Sequence, residues 1–377
     1  MTGAAASIRH LYVHVPFCAH RCGYCDFVTL VGRTGQHGAY VDALLAELEL
    51  ERELLGETVE TVFLGGGTPT FLAQSELERL LGALPAAEEV TVEANPETAT
   101  PALARALREA GVTRVSLGAQ SFQPHLLAML ERRARPADVR SAFHVLRDAA
   151  FDNLSLDLIY GIPGQSSADL ARDLAEALAL EPEHVSCYEL EAKPGTRFTH
   201  AHGAELQRQA EAMEGYFEQV VDTLVTAGYR WYETSNFCRD GHLSRHNLAY
   251  WQGRDYLGIG IGAVSTVGDE RWRNTPKLGA YLTALANGDR APREIEPLDA
   301  GTRERERLIL GLRLDEPLEL AGVARAVDQA ALVRLESLAL AERTNGSLRL
   351  TRRGRFVGGA ATAELMAEIP AKTTIAT

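Results

Sequence analysis

A chain of 377 residues is too long for one small core and fits two or three domains, or one barrel with an attachment. Its composition, 46% hydrophobic and 24% charged, belongs to an ordinary globular protein and excludes a disordered one. A formal net charge of -13 argues against a general electrostatic grip on nucleic acid, which needs clustered Lys and Arg to displace counterions.

The N-terminus "MTGAAASIRHLYVHVPF" lacks a long apolar core with a small-residue cleavage site, so no secretory signal is expected. No run of about 18 apolar residues follows, so no spanning helix is expected either. Along the chain, "LYVHVPF" (11–17), "TVFLGGG" (61–67), "EVTVEA" (89–94), "TRVSLGAQ" (113–120), "NLSLDLIYG" (153–161), "HVSCYELE" (184–191) and "YRWYETSNF" (229–237) read as strands. Helical patterns fill the intervals, such as "YVDALLAELELERELL" (40–55). In "TPALARALREAGVTRVSLG" Thr100 caps a helix, Pro101 suits its first turn and Gly111 ends it. Strand and helix alternating in this way predict parallel strands with right-handed crossovers, and an open partial (β/α) barrel fits best.

The pattern places an α/β barrel over residues 8–240. A loop-rich connector follows over 241–300, then a helical module over 301–365, and a disordered tail over 366–377. Within the module, "LRLT" reads equally as the β wing of a winged-helix-like unit or as part of a simple cap on the barrel.

Five cysteines, three of them crowded, make a poor disulfide framework and point to a metal site in the reducing cytoplasm. "CAHRCGYCDF" places Cys18, Cys22 and Cys25 in one loop after the first strand. Three such thiolates could hold an iron–sulfur cluster, zinc with His20 as a fourth ligand, or nothing. Cys187 and Cys238 stand alone and read as buried structural thiols. Polar or glycine-rich residues recur at strand C-terminal ends, the face where parallel barrels place their sites. They are Gly66, Gly67 and Thr68 in "GGGTPT", Glu93 in "VEANPE", Gln120 in "GAQSF" and Asp157 in "DLIYGIPGQ". "YLGIGIGAVS" (256–265) departs from a dinucleotide fingerprint and reads as a turn lining the same cleft.

The spacing Cys-x3-Cys-x2-Cys after a first strand closely resembles the radical S-adenosylmethionine superfamily. With "YVHVPFCAHRCGYCDF", "FLGGGTPT", "VEANPE", "GAQSF", "DLIYGIPGQ" and "YETSNF" in order, the chain is similar to its coproporphyrinogen III oxidase-like branch from about residue 10 to 360. The resemblance implies a 4Fe–4S cluster on Cys18, Cys22 and Cys25, with one iron left for S-adenosylmethionine. It also implies contacts to that cofactor from Tyr12, Tyr24, Gly66, Gly67, Thr68, Glu93, Gln120, Arg132 and Asp157. Arg132 departs from the family pattern, because Arg133 is adjacent and Glu131 stands where a small residue is usual.

Two activities exist within that branch. The oxidase decarboxylates propionate side chains of coproporphyrinogen III, adds a fourth cysteine two places after the third, and carries an N-terminal extension. Here position 27 is Phe27 and eleven residues precede Tyr12, both of which count against the oxidase. The branch's heme chaperones carry His-Asn-x-x-Tyr-Trp, present as His246, Asn247, Tyr250 and Trp251. An imidazole beside two aromatics could ligate heme iron and cover the macrocycle, although all could equally be core residues, with iron taken by His242 or His14. The resemblance thus implies heme and heme-requiring acceptors, including membrane respiratory enzymes reached from the inner membrane face. It allows a homodimer and leaves open a radical reaction on another substrate.

Overall fold

In a computed structural model, residues 7–191 and 197–367 are described. The expected disordered tail therefore lies, from 368 onward, outside the described residues. The chain divides into two compact units. The first holds the N-terminal part to Trp231 with 235–249 and 255–297, and the second holds 232–234, 250–254 and the chain from Leu298.

The first unit is built on strands β1 (His10–Val15), β2 (Val59–Gly66), β3 (Ala87–Ala94), β4 (Arg114–Gln120), β5 (Leu154–Tyr160) and β6 (His184–Glu189). β7 (Arg230–Trp231), β8 (Asn236–Cys238) and β9 (Leu257–Ile259) complete the sheet. Its order is β9-β1-β2-β3-β4-β5-β6-β8-β7, parallel from β9 to β6. The edge strands β9 and β7 do not pair with each other, so the barrel is open. Helices α1 (His37–Leu50), α2 (Gln74–Ala83), α3 (Pro101–Glu109), α4 (Pro136–Asp148) and α5 (Ser167–Ala179) make the crossovers. α3 starts as its sequence dictates, with Thr100 Oγ1 accepting from the Leu103 N–H at 3.2 Å and Pro101 in the first turn.

The period-2 alternation has an unusual polarity. Leu11 and Val13 of β1, Val62 and Leu64 of β2, Val115 and Leu117 of β4 are buried apolar residues of the core. The alternate positions are largely polar, and the register stacks them in rows. His10 pairs with Thr61 and Thr61 with Glu89; Glu93 pairs with Ser116, Ser116 with Ser155 and Ser155 with His184. Hydrogen bonds across these rows show that they share one face, so the barrel is lined with polar groups and jacketed with apolar ones.

Two expectations are corrected. "YRWYETSNF" is not one strand but the antiparallel pair β7 and β8, with Phe237 opposite Trp231 and a bend over 233–235. "YLGIGIGAVS" does not line the cleft: Leu257–Ile259 form β9 against β1, and Gly260 turns over the His14 carbonyl. This turn is held by the buried Glu47 of α1, whose carboxylate accepts from the Gly260 N–H at 2.7 Å, Asn274 Nδ2 at 2.6 Å and Tyr281 Oη at 2.7 Å.

The second unit packs Leu308, Leu312, Val323, Leu332, Leu335, Leu348 and Leu365 into its own core. Strands Ala341–Thr344 and Ser347–Leu350 form a hairpin where "LRLT" suggested a wing. Its turn, Asn345–Gly346, has two positive φ angles, 52° and 84°, which suits Asn-Gly. Among the described residues, no helix is long and apolar enough to cross a membrane.

Candidate functional site

β1 runs out at Val15, and the chain enters the cysteine loop through Phe17–Cys18, which pairs with Leu30–Val31. The Leu30 N–H to Pro16 carbonyl bond, 2.8 Å, and the Gly32 N–H to Cys18 carbonyl bond, 2.9 Å, close the loop at its base. Within it the Cys25 N–H turns back to the Cys22 carbonyl at 3.2 Å. All five cysteines are free, and Cys18, Cys22 and Cys25 line one cavity of about 440 Å³. Burial pushes the Cys18 and Cys25 thiols up, and neighbouring thiols add to that. Three cysteines crowded in one half-buried cavity are a donor set for a polynuclear iron centre.

The strand ends bring the remaining groups to the same cavity. Gly67 lets β2 pass the cysteine loop closely: a Cβ there would stand 2.6 Å from the Pro16 carbonyl. The Gly66 N–H, at φ 108°, donates to Glu93 Oε2 at 3.1 Å. Burial, with the Asp157 carboxylate, lifts the Glu93 carboxyl to about 7 against that N–H and the Arg114 guanidinium. Asp157 is also raised by burial, opposed by the Ser186 hydroxyl and then Arg114; the Ser116 hydroxyl reaches both its oxygens at 3.0 Å. Gln120 has φ 66° at a register shift of β4, which turns it toward the cavity. The next residues are pinned by the buried Asp173, which accepts from the Ser121 hydroxyl and the Phe122 N–H, each at 2.7 Å.

Arg132 reaches the cavity from the turn after helix Pro124–Met129. Its Nη2 donates to the Gly118 carbonyl at 2.8 Å and Asn95 Oδ1 at 3.0 Å, and Nη1 lies 3.7 Å from Cys22 Sγ. Arg132 Nε is buried with no protein partner, which fits a carboxylate ligand. Gly118 leaves the matching space, since a Cβ there would meet Gln120 Nε2 at 2.9 Å. Tyr24 lines the cavity while packing on Leu126, Leu130 and Ile159. Cys18, Cys22, Cys25, Tyr24, Gly66, Gly67, Thr68, Glu93, Gln120, Arg132 and Asp157 thus converge. Tyr12 does not: it faces the barrel interior below, donating or accepting at His14 Nδ1 (3.0 Å) and stacked on Phe63.

Sequence reasoning missed Asn95 and Ser116. Asn95 sat inside the quoted "VEANPE", and Ser116 lies two residues before Gly118 on the inward face of its strand, so alternation could have found it.

The His-Asn-x-x-Tyr-Trp residues lie elsewhere. They form helix α6 (Arg245–Trp251), whose first N–H groups, from Arg245 and His246, donate to Glu89 at 2.9 and 3.1 Å. His246 is 1% exposed, stacked on Phe63 with ring centroids 5.1 Å apart, and its Nδ1 bonds Thr61 Oγ1 at 2.7 Å. Burial holds its imidazole down to about 3. In this arrangement His246 closes the barrel floor, away from the cysteines, with no open face for heme iron. His14 is likewise engaged, through Val28 and Tyr12. Asn247 and Tyr250 are half-buried. Trp251 belongs to the second unit, where the Arg313 guanidinium covers its ring at 4.2 Å.

The radical SAM superfamily model matches residues 12–177, and the HemN C-terminal domain model matches 298–357. The heme chaperone HemW of Mycobacterium tuberculosis is 38% identical over 370 residues, 94% of either chain. That of Bacillus subtilis is 32% identical over 377 residues, covering 93% of this chain and 97% of its own. Among solved structures, coproporphyrinogen III oxidase (HemN) from Escherichia coli, a radical SAM enzyme, superposes with a TM-score of 0.80. It covers 96% of this chain and 90% of its own at 23% identity, which shows the shared fold. Likeness to the chaperones at this level, carried through barrel and C-terminal module alike, makes this chain a member of the HemW family in the radical SAM superfamily.

Proposed function

We propose that this chain is a heme chaperone, binding heme and passing it to heme-requiring proteins. Full-length likeness to HemW proteins carries this reading. Cys18, Cys22 and Cys25 would hold a 4Fe–4S cluster. Arg132 would take the carboxylate of S-adenosylmethionine, and Glu93 and Asp157 its ammonium or ribose hydroxyls. When bound, that pair supplies one-electron chemistry at a sulfonium. The chain's own part is to hold the cofactor against the thiol loop and keep the carboxyls dry. The acceptors would be cytoplasmic or reached at the inner membrane face, and include respiratory enzymes.

The cavity's charge weighs against the decarboxylating alternative. Asp26, Glu93, Asp157, Glu189 and Glu191 line it, against the guanidiniums of Arg21 and Arg132. A cationic cofactor suits that carboxyl-rich lining better than a tetracarboxylate porphyrinogen does. Phe27, 62% exposed, occupies the position of the oxidase's fourth cysteine.

Anaerobic reconstitution followed by two assays on one sample tests the reading. Heme should bind stoichiometrically, survive gel filtration and move to an apo-acceptor. Protoporphyrinogen IX accumulating from coproporphyrinogen III would give the chain to the oxidase instead.

A further inference from the structure

The thiols of Cys18 and Cys22 are joined through three side chains. Thr68 Oγ1 lies 3.6 Å from Cys18 Sγ, Asn95 Nδ2 donates to Thr68 Oγ1 at 2.9 Å, and Arg132 Nη2 donates to Asn95 Oδ1 at 3.0 Å. Arg132 Nη1 then lies 3.7 Å from Cys22 Sγ. Chemistry fixes both bonds of Asn95 outright, and it fixes the Thr68–Cys18 contact once Cys18 ligates as a thiolate, since before that either atom could be the donor. A guanidinium only donates, so the Asn95 carbonyl must face it and the amide NH2 must face Thr68. With its oxygen already accepting from Asn95, the Thr68 hydroxyl is free to donate its proton to the sulfur. The run therefore begins at a permanent cation and ends with a donor on each of two thiolates.

Asn is the residue type that this geometry demands at position 95. Asp would accept from Arg132 but could not donate to Thr68, and Leu would do neither. Thr68 is buried, and Thr68, Asn95 and Arg132 also line a second cavity of about 120 Å³ on their other side. They thus stand between it and the main cavity.

We propose that Asn95 is a positioning residue for the cluster: it holds the Thr68 hydroxyl on Cys18 and the Arg132 guanidinium on Cys22, and through them sets the reduction potential. This rests on the cluster assignment above. Donors and positive charge beside ligating sulfur favour the electron-rich state, so they raise the potential.

The test is a redox titration followed by electron paramagnetic resonance on full-length reconstituted protein, with iron and sulfide measured on the same sample. Asn95→Leu should shift the oxidised-to-reduced ratio about tenfold at fixed potential, a fall of about 59 mV for a one-electron couple. Thr68→Val, which removes the Cys18 arm alone, should shift it about threefold in the same direction. Adding Thr68→Val to Asn95→Leu should give less than the sum of the two, as expected for one connected run. Wild-type potential and signal in a cluster-loaded Asn95→Leu protein would overturn the proposal. If Asn95→Leu cannot be loaded, Thr68→Val decides, and an unshifted potential there overturns it equally. A wild-type chain holding no iron or sulfide would end the cluster reading itself, a separate result.

Discussion

The two ends of one barrel are both polar, and they differ in how that polarity is satisfied. At the floor, His10, Thr61, Glu89 and His246 are buried, and each has a protein partner in the row or on helix α6. At the mouth three thiols crowd one cavity, Asp157 raises the buried Glu93, and Arg132 Nε has no protein partner. A buried polar group left with a like-charged neighbour costs free energy that a proton or a ligand can return. The His246 row is thus closed among its own residues, whereas the mouth gathers its donors around an open cavity. Motif residues at both ends look alike in sequence, and this difference separates them.

The largest break of that contrast is at the mouth. Replacing Cys18, Cys22 or Cys25 with Ala should abolish the brown absorbance of the reconstituted protein while circular dichroism stays unchanged; retained absorbance would refute the cluster. At the floor, His246→Ala should cost about 4 kcal/mol of stability, from the lost buried ring and its hydrogen bond to Thr61. Iron content should not change. Urea unfolding checks the first and an iron assay the second. Lost heme binding at undiminished stability would instead make His246 a ligand.

The third prediction concerns pH. Glu93 titrates near 4.5 when unfolded and about 7 when folded. Between those values the folded chain keeps a proton that the unfolded chain has released, so this group's contribution to stability falls as pH rises from 4.5 to 7. At about 1.4 kcal/mol per unit the swing is about 3 kcal/mol. His14, held down to about 4 by burial, and His246 run oppositely, losing stability as pH falls below 6.5. The comparison is therefore wild type minus Glu93→Gln across that window, and a flat difference would contradict the burial argument. The smallest effect is at the exposed Phe27, where Phe27→Ser should change stability by less than about 0.5 kcal/mol and leave cluster content intact.

The parallel strands were legible because glycine or polar residues punctuate each C-terminal end. So was the converging set at the mouth, which follows once those ends share a face. The β7–β8 bend escaped because "YETS" contains no glycine or proline, and β-formers run through it. β9 escaped for the opposite reason: its glycines suggested a loop, whereas Gly258 is needed in a strand because the Val264 carbonyl crosses it closely. His246 was legible as a residue type and not as a place, since nothing local tells which end of a barrel a helix will close. Asn95 was hidden because its role exists only between two distant side chains.

β1 carries the cysteine loop and is flanked by β2 on one side and β9 on the other. A chain emerging from the ribosome completes the first pairing early, but it must extend beyond Ile259 before the second can form. Until then one edge of the strand beside the thiols stays open to stray pairing. Closure waits further still for Asn274 and Tyr281, which hold Glu47. A settled cysteine loop is therefore a late event in the life of the nascent chain.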